Sequence, residues 1–263
     1  MQPPDFSDAD PALRIRARTL LFDVDDTLTW HGQLPEVAAQ ALYKAKACGL
    51  SLVAVTGRSY AWAEMLLRLF PLDAAIAETG ACALVREQGM RLRVIHTEPD
   101  DDVRAALARD RDRACARARR DVESARMALD NPGRLYDCAF DLVENGPPLS
   151  PEDAAHIRAI LAEEGLVTAQ SSVHINAWKL GPHGAFDKAS MAERVTSLDD
   201  AVYAGDSLND GSMFARVALS VGVANVRPHL DALTKKAQAP RFIVDANGGH
   251  GFAQIVSALV EDR

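Results

Sequence analysis

The chain has 263 residues, 48% apolar and 25% charged, and its 37 acidic against 29 basic residues give a formal net charge of −8. That balance excludes sequence-independent binding of nucleic acid, which needs a basic footprint, and no apolar run is long enough for a membrane span. The apolar fraction over this length suffices for a substantial core, as one large α/β domain or as a core with a smaller domain inserted. Cys48, Cys82, Cys115 and Cys138 show neither a Cys-x-x-Cys pair nor a zinc spacing, so reduced thiols are expected. Residues 1–18 carry Pro, Asp and Arg instead of an apolar secretory stretch, and the expectation is a cytoplasmic protein.

Residues 19–24 read as a first strand that runs into Asp23, Asp25 and Asp26. Strand residues two apart point the same way, so Asp23 and Asp25 address one site while Val24 faces the core. Three carboxylates within four residues repel one another, and a hard divalent cation such as Mg²⁺ offsets that repulsion. A solvated acidic turn would give the same run; the later segments separate the two readings. Residues 35–48 have helical spacing, with Val37, Ala41, Leu42 and Ala45 on one face and Gly49 past the end. A strand at 50–55 ends in Thr56-Gly57-Arg58, a helix spans 60–70 before Pro71, and a short strand covers 74–77. This strand–helix alternation implies a parallel sheet with right-handed crossovers.

The rhythm breaks after Gly80. Strands at 82–85 and 90–95 flank Arg86-Glu87-Gln88-Gly89, a hairpin signal. An Ala/Arg-rich helix is expected over 101–129, a strand at 136–143, a helix at 151–164, and a second hairpin from 167–170 and 173–178. The earlier pattern then resumes: a helix from Asp187, a strand at 202–204 leading into Gly205-Asp206-Ser207-Leu208-Asn209-Asp210, a helix at 210–216 and a strand at 219–221. The expected fold is α/β, a Rossmann-like parallel sheet in two core segments, 1–82 and 181–263, with an α+β lid at 83–180. Three strand ends carrying polar groups point to one polar site at the carboxyl edge of the sheet.

On these residues the chain resembles the haloacid dehalogenase (HAD) superfamily of phosphohydrolases, in its Cof-like, sucrose-phosphatase-like branch. Asp23-Val24-Asp25-Asp26-Thr27 matches the first motif, Thr56 the second, Lys188 the third, and Gly205-Asp206 with Asn209-Asp210 the fourth. The resemblance implies an α/β cap between the second and third motifs and a phosphoric monoester hydrolase that works through an aspartyl-phosphate. It assigns Asp23 as nucleophile and Asp25 as general acid and base. It gives Thr56 and the Gly57 amide to the phosphate oxygens, and Lys188 to the charge of nucleophile and phosphate. By the same resemblance Mg²⁺ is held by Asp23, the Asp25 carbonyl and Asp206, with Asp210 directly bound or orienting a bound water. Asp210 as an N-terminal helix aspartate, Lys179 as a rival to Lys188, and Arg58 in a structural salt bridge instead of on an anionic substrate are the plainer readings. Asn209 is assigned to Lys188 or to the phosphate.

Two departures stand out: Thr79-Gly80-Ala81 where relatives usually carry Asn-Gly-Ala, and Asp26 where Gly is frequent. Within the lid, Arg104, Arg109, Arg111, Arg113, Arg117, Arg119 and Arg120 read as a solvated face with acidic neighbours. His174, Asn176 and Trp178 alternate along one strand that could face the site. The expected activity is Mg²⁺-dependent hydrolysis of a small phosphorylated metabolite, with a sugar phosphate favoured. The alternatives are a phosphomutase or phosphotransferase, or a non-catalytic binding protein. Neither nucleic acid nor membrane is an expected partner, and the sequence is silent on oligomeric state.

Overall fold

Thr19, Leu20, Leu21 and Phe22 are all buried, which places the first strand, β1 (Thr19–Phe22), in the middle of a sheet and not at its edge. The computed structural model describes residues 3–261, so the outermost two residues of each expected core segment lie outside it. Around β1 run α1 (Pro11–Arg16), α2 (Glu36–Ala47), β2 (Ser51–Val55), α3 (Tyr60–Leu69), β3 (Ala74–Ala77), β4 (Cys82–Arg86) and β5 (Leu92–His96). After the insertion come α6 (Lys188–Val195), β9 (Ala201–Gly205), α7 (Gly211–Arg216), β10 (Leu219–Gly222), α8 (Leu230–Lys235), β11 (Phe242–Ile243) and α9 (Gly248–Val260). Among the described residues the sheet order is β11-β10-β9-β1-β2-β3-β4-β5. Strand β1 pairs in parallel with β2 on one side and β9 on the other, so strand order reverses beside β1.

Alternation along β1 decides which helices cover which face. Leu20 and Phe22 pack with Leu42, Leu66, Phe252 and Ile255 from α2, α3 and α9. Leu21 packs on the other side with Met191, Phe214 and Leu233 from α6, α7 and α8. Both faces are therefore apolar and closed, the usual condition of a parallel sheet.

The hairpin β4–β5, expected inside the lid, continues this main sheet as its antiparallel edge, with Ala77 opposite Cys82. The cause is the sharp reversal after β3. Glu78, Thr79 and Gly80 have φ of +50°, +59° and +103°, which turns the chain back onto the strand it has just left. The insertion's own sheet is β6-β8-β7, built from β6 (Asp137–Asp141), β7 (Leu166–Gln170) and β8 (His174–Lys179). Helices α4 (Asp101–Asp121) and α5 (Pro151–Glu163) bury Ala114, Ala118, Ile157 and Leu161 against Phe140, Ile175 and Ala177. The helix expected to reach residue 129 stops at Asp121, because the following stretch pairs with β6 instead: Met127 bridges Phe140, and Ala128 N–H donates to the Ala139 carbonyl. Cys115 and Cys138, expected as free thiols, are paired as a disulfide inside this small core.

The insertion's sheet turns its other face, His174, Asn176 and Trp178, toward the main sheet, as the alternation suggested. Trp178 stacks on Phe186 at 5.3 Å, and Asn176 donates to the Gly57 carbonyl (3.1 Å). The charged groups of α4 mostly find acidic partners, such as Arg117 with Glu163 and Glu164. Fully buried Glu78 anchors the insertion more firmly. Its carboxylate accepts from the backbone N–H groups of Tyr60, Leu135, Tyr136 and Asp137 at 2.6–3.1 Å.

Gly80 lets the 78–80 turn sit against the start of α6. A Cβ there would lie 2.1 Å from the Asp187 carbonyl oxygen, at a backbone φ that L-residues rarely adopt. Gly80→Ala is expected to destabilise the fold by more than about 2 kcal/mol, read as a lower urea midpoint with an unchanged slope. An unaltered midpoint would show that the turn does not constrain α6.

Candidate active site

Asp23 continues β1 by one residue, its N–H donating to the Ala204 carbonyl of β9 (2.9 Å). The chain then coils tightly: Leu28 and Thr29 N–H both donate to the Val24 carbonyl, and Asp26 takes φ +54°. The turn leaves Asp23 buried and Asp25 partly exposed at the sheet edge. Asp206 leaves β9 beside them, also buried, and accepts from the Thr27 hydroxyl and the Asn225 amide, both at 3.2 Å. Oxygens of Asp23, Asp206 and Asp210 lie within 4.8 Å of one another. This is the convergence that the three polar strand ends implied.

Lys188 is the cation among them. It opens α6, where Asp187 and Ser190 form a reciprocal cap, and it has no exposed surface. Its Nζ lies 3.1 Å from Asp23 and 2.7 Å from Asp210, and donates to Asn209 Oδ1 at 3.2 Å. Lys179, the rival, donates instead to the Glu164 carbonyl at the edge of the insertion. Asp210 is fully occupied. Lys188 and the Tyr203 hydroxyl donate to one oxygen, and the N–H groups of Asp206 and Ser207 donate to the other at 2.9 and 3.0 Å. Asp210 therefore fixes the lysine and the 206–207 backbone, and its four bonds leave it poorly placed to serve as a direct ligand.

Three carboxylates share one ammonium, a formal surplus of two negative charges in a site almost closed to water. An uncompensated buried charge costs about 3–5 kcal/mol, so the cluster must take up protons or a cation. Burial, only partly opposed by Lys188 and reinforced by Asp210 and Asp25, pushes the Asp23 carboxyl up to about 8. Burial and the charges of Asp210 and Asp23 raise Asp206 well above the carboxylate range. Burial works against the Lys188 ammonium, but Asp210 and Asp23 outweigh it and hold its proton tightly. Hard oxygen donors with surplus negative charge are the set that Mg²⁺ takes, and Asp23 and Asp206 fit it.

Beside β1, Thr56 and Gly57 form the turn from β2 to α3. The buried Thr56 hydroxyl accepts from Arg58 N–H at 3.0 Å, and its own proton is the one a bound phosphate oxygen can take. Arg58 does not point to open solvent. Its Nε and Nη2 hold Asp25 at 2.7–3.1 Å, its Nη1 and Nη2 hold Glu144 from the insertion at 3.1 and 2.5 Å, and it lies 5.0 Å over the Trp62 ring. Of the two readings of Arg58, the salt bridge is the one observed. Burial pushes the Glu144 carboxyl up, but the hydrogen bonds from His174 and Arg58 override it and hold the pKa down at about 2.

Asp23, Asp25, Gly57, Asp206, Ser207 and Asn209 face Ser171, Ser172 and His174 of the insertion across a chamber of about 10 Å³, room for roughly one water. An adjoining cleft of about 530 Å³ shares Ser171, Ser172 and Ser207 and is lined by Leu142, Leu149, Arg158, Gln170 and His229. Every residue singled out in the core motifs thus lies at one sheet edge. Sequence reasoning missed Asn225, Tyr203 and Glu144. Asn225 follows β10 and was findable as another polar strand end; Tyr203 lies within a strand, and Glu144 lies in a loop with no pattern.

The profile of the haloacid dehalogenase-like hydrolases matches residues 20–110. No curated protein sequence matches the chain significantly. Among solved structures, Thermoplasma acidophilum 0175 superposes with a TM-score of 0.68 at 20% identity, over 94% of this chain and 99% of that one. Sucrose-phosphatase from Synechocystis sp. PCC6803, in complex with sucrose and phosphate, gives 0.62 at 17% identity, over 93% and 98%. A haloacid dehalogenase-like hydrolase from Bacteroides thetaiotaomicron gives 0.62 at 14% identity, over 92% and 98%. The protein is thus haloacid dehalogenase-like in sequence over residues 20–110 and in fold over nearly its whole length.

Proposed function

We propose that the protein is a Mg²⁺-dependent phosphatase that hydrolyses a small phosphorylated metabolite, with a sugar phosphate as the favoured substrate, through an aspartyl-phosphate on Asp23. The observation that carries this reading is the buried cluster of Asp23, Asp206 and Asp210 around a single lysine. The fold shared with sucrose-phosphatase supports it. An Asp23 oxygen attacks phosphorus, and the ester P–O bond breaks as Asp25 gives its proton to the leaving oxygen. Water then attacks the phosphorus of the acyl phosphate, Asp25 takes up a proton from it, and the bond to Asp23 breaks to release phosphate. Dividing the reaction in this way is the work of nucleophilic catalysis, while positioning and charge neutralisation supply most of the rate.

In this reading Lys188 neutralises Asp23 and a phosphoryl oxygen, and Thr56 with the Gly57 amide fixes the others at a strand-to-helix turn. Asn209 holds Lys188 in place. Asp23, Asp206 and the Asp25 carbonyl would hold Mg²⁺, with Asp210 behind them. When bound, the ion supplies charge neutralisation for the nucleophile and the phosphoryl group. The insertion beyond β5, expected to span residues 83–180, acts as the cap. The cleft beside the chamber offers the leaving group its place. A cytoplasmic setting goes with that substrate class.

Asp23→Asn is expected to abolish Mg²⁺-dependent release of p-nitrophenol from its phosphate, with circular dichroism unchanged; retained turnover would remove Asp23 as nucleophile. No turnover of this ester or of a metabolite panel by the native protein would favour a binding role, and transfer to added sugar acceptors in preference to water would favour a phosphotransferase.

A carboxyl raised in the folded state binds more protons folded than unfolded. The stability it contributes is complete below the unfolded value near 3.8 and is lost as pH rises toward about 8. In EDTA the melting temperature should therefore fall between pH 5 and pH 8, and added Mg²⁺ should raise it more at pH 8 than at pH 5. An equal gain at both would exclude the acidic cluster as the cation site.

A further inference from the structure

Asp25 carries the proton in the reaction above, yet among the described residues nothing in its own turn holds its side chain. Its carboxylate is gripped by Arg58 through Nε and Nη2. The same guanidinium extends its remaining edge to Glu144, so one planar fork spans two carboxylates, one from the core and one from the insertion. Glu144 is itself fixed from two directions. Asp141, with no exposed surface at the end of β6, accepts from the N–H groups of Val143, Glu144 and Asn145 at 2.7–3.1 Å and so shapes the loop. His174 Nε2, from β8, lies 2.8 Å from Glu144 Oε2.

We propose that Glu144 is a positioning residue: by holding Arg58 it holds the Asp25 carboxyl group in the orientation from which, when protonated, it gives its proton to the leaving oxygen. This rests on the reading of Asp25 as the general acid. A guanidinium bonded at both ends has one orientation, and the Asp25 pair inherits it. With Glu144 removed, half of the fork is unpaired and the Arg58 side chain regains rotamers. The Asp25 carboxyl then spends less time aligned, although its hydrogen bonds from Arg58 Nε and Nη2 remain. Small misplacements of this kind are costly where the reacting geometry is narrow. Because Glu144 belongs to the insertion, Asp25 is set only while the insertion is seated on the core.

The test compares phenyl phosphate with 2,4-dinitrophenyl phosphate, two esters of similar shape whose leaving groups differ in their need for a proton. In Mg²⁺ buffer, kcat/KM reports the step that forms the aspartyl-phosphate. Glu144→Ala and Asp25→Asn should both lower kcat/KM for phenyl phosphate about 10-fold or more beyond any loss on the dinitrophenyl ester, within the range general acids supply. Glu144→Gln, which keeps the side-chain volume, should show the same split in weaker form and guards against misfolding of the Ala variant. Equal losses on both esters, or none, in the Glu144 variants while Asp25→Asn shows the split would overturn the role of Glu144 alone. No split in Asp25→Asn would overturn the general-acid reading itself.

Discussion

The Lys188 ammonium, without any exposed surface, lies 3.1 Å from Asp23 and 2.7 Å from Asp210. Its two partners come from strand ends on opposite sides of the insertion in sequence, so this three-way contact joins the first core segment to the second. Removing one member of a buried ionic group leaves the others uncompensated, a larger penalty than the group's net worth. The 78–80 turn, α6 and the 206–210 loop are all placed so that this contact can form. Gly80 clears the path for the helix start, the Asp187–Ser190 cap fixes its first turn, and Asp210 spends two backbone hydrogen bonds on the loop that carries Asp206.

The same logic, charge held by many hydrogen bonds, governs how the insertion meets the core. Glu78 accepts four backbone N–H groups, three of them at the entry to β6. Arg134 adds Asp130, Asp137 and the Gly57 carbonyl. Hydrogen bonds to a charged group are about twice as strong as neutral ones, so this end of the insertion is tied firmly to the Thr56–Gly57 turn. The opposite end, at Ser171, Ser172 and His174, lies over the chamber with far fewer bonds to the core.

Much of the site was legible in the sequence because its chemistry sits where backbone geometry changes. Asp23, Thr56 and Asp206 each follow an apolar strand directly, and Lys188 opens a helix after a capping aspartate. Such transitions leave a local signature. Glu144 and Asn225 have none of comparable strength, since their roles depend on contacts made across 86 residues to Arg58 and 19 residues to Asp206. The β4–β5 hairpin was read as a hairpin but placed in the lid, whereas it extends the main sheet. Strand pairing partners are a tertiary property, and the left-handed turn at Glu78 and Thr79, neither of them Gly, hid the reversal. Helix α9 went unread because Gly248, Gly249 and Gly251 mask its start, although Phe252, Ile255, Val256 and Leu259 have core spacing.

A chamber of about 10 Å³ beside a cleft of about 530 Å³ sets a constraint on how any ligand arrives. Ser171, Ser172 and His174 close that chamber over Asp23, Asp25 and Asp206, so its small volume depends on where this hairpin sits. The Glu78 and Arg134 contacts tie the start of β6 to the core, whereas the β7–β8 turn has no comparable anchor among the described residues. Glu144 stands at that divide. Its loop is fastened to Asp141, while its carboxylate reaches both His174 at the start of β8 and Arg58 of the core. The Asp25–Arg58–Glu144–His174 chain therefore runs from the core through the anchored loop to the β7–β8 hairpin, so the seating of that hairpin over the chamber and the pairing of Arg58 are coupled through one carboxylate.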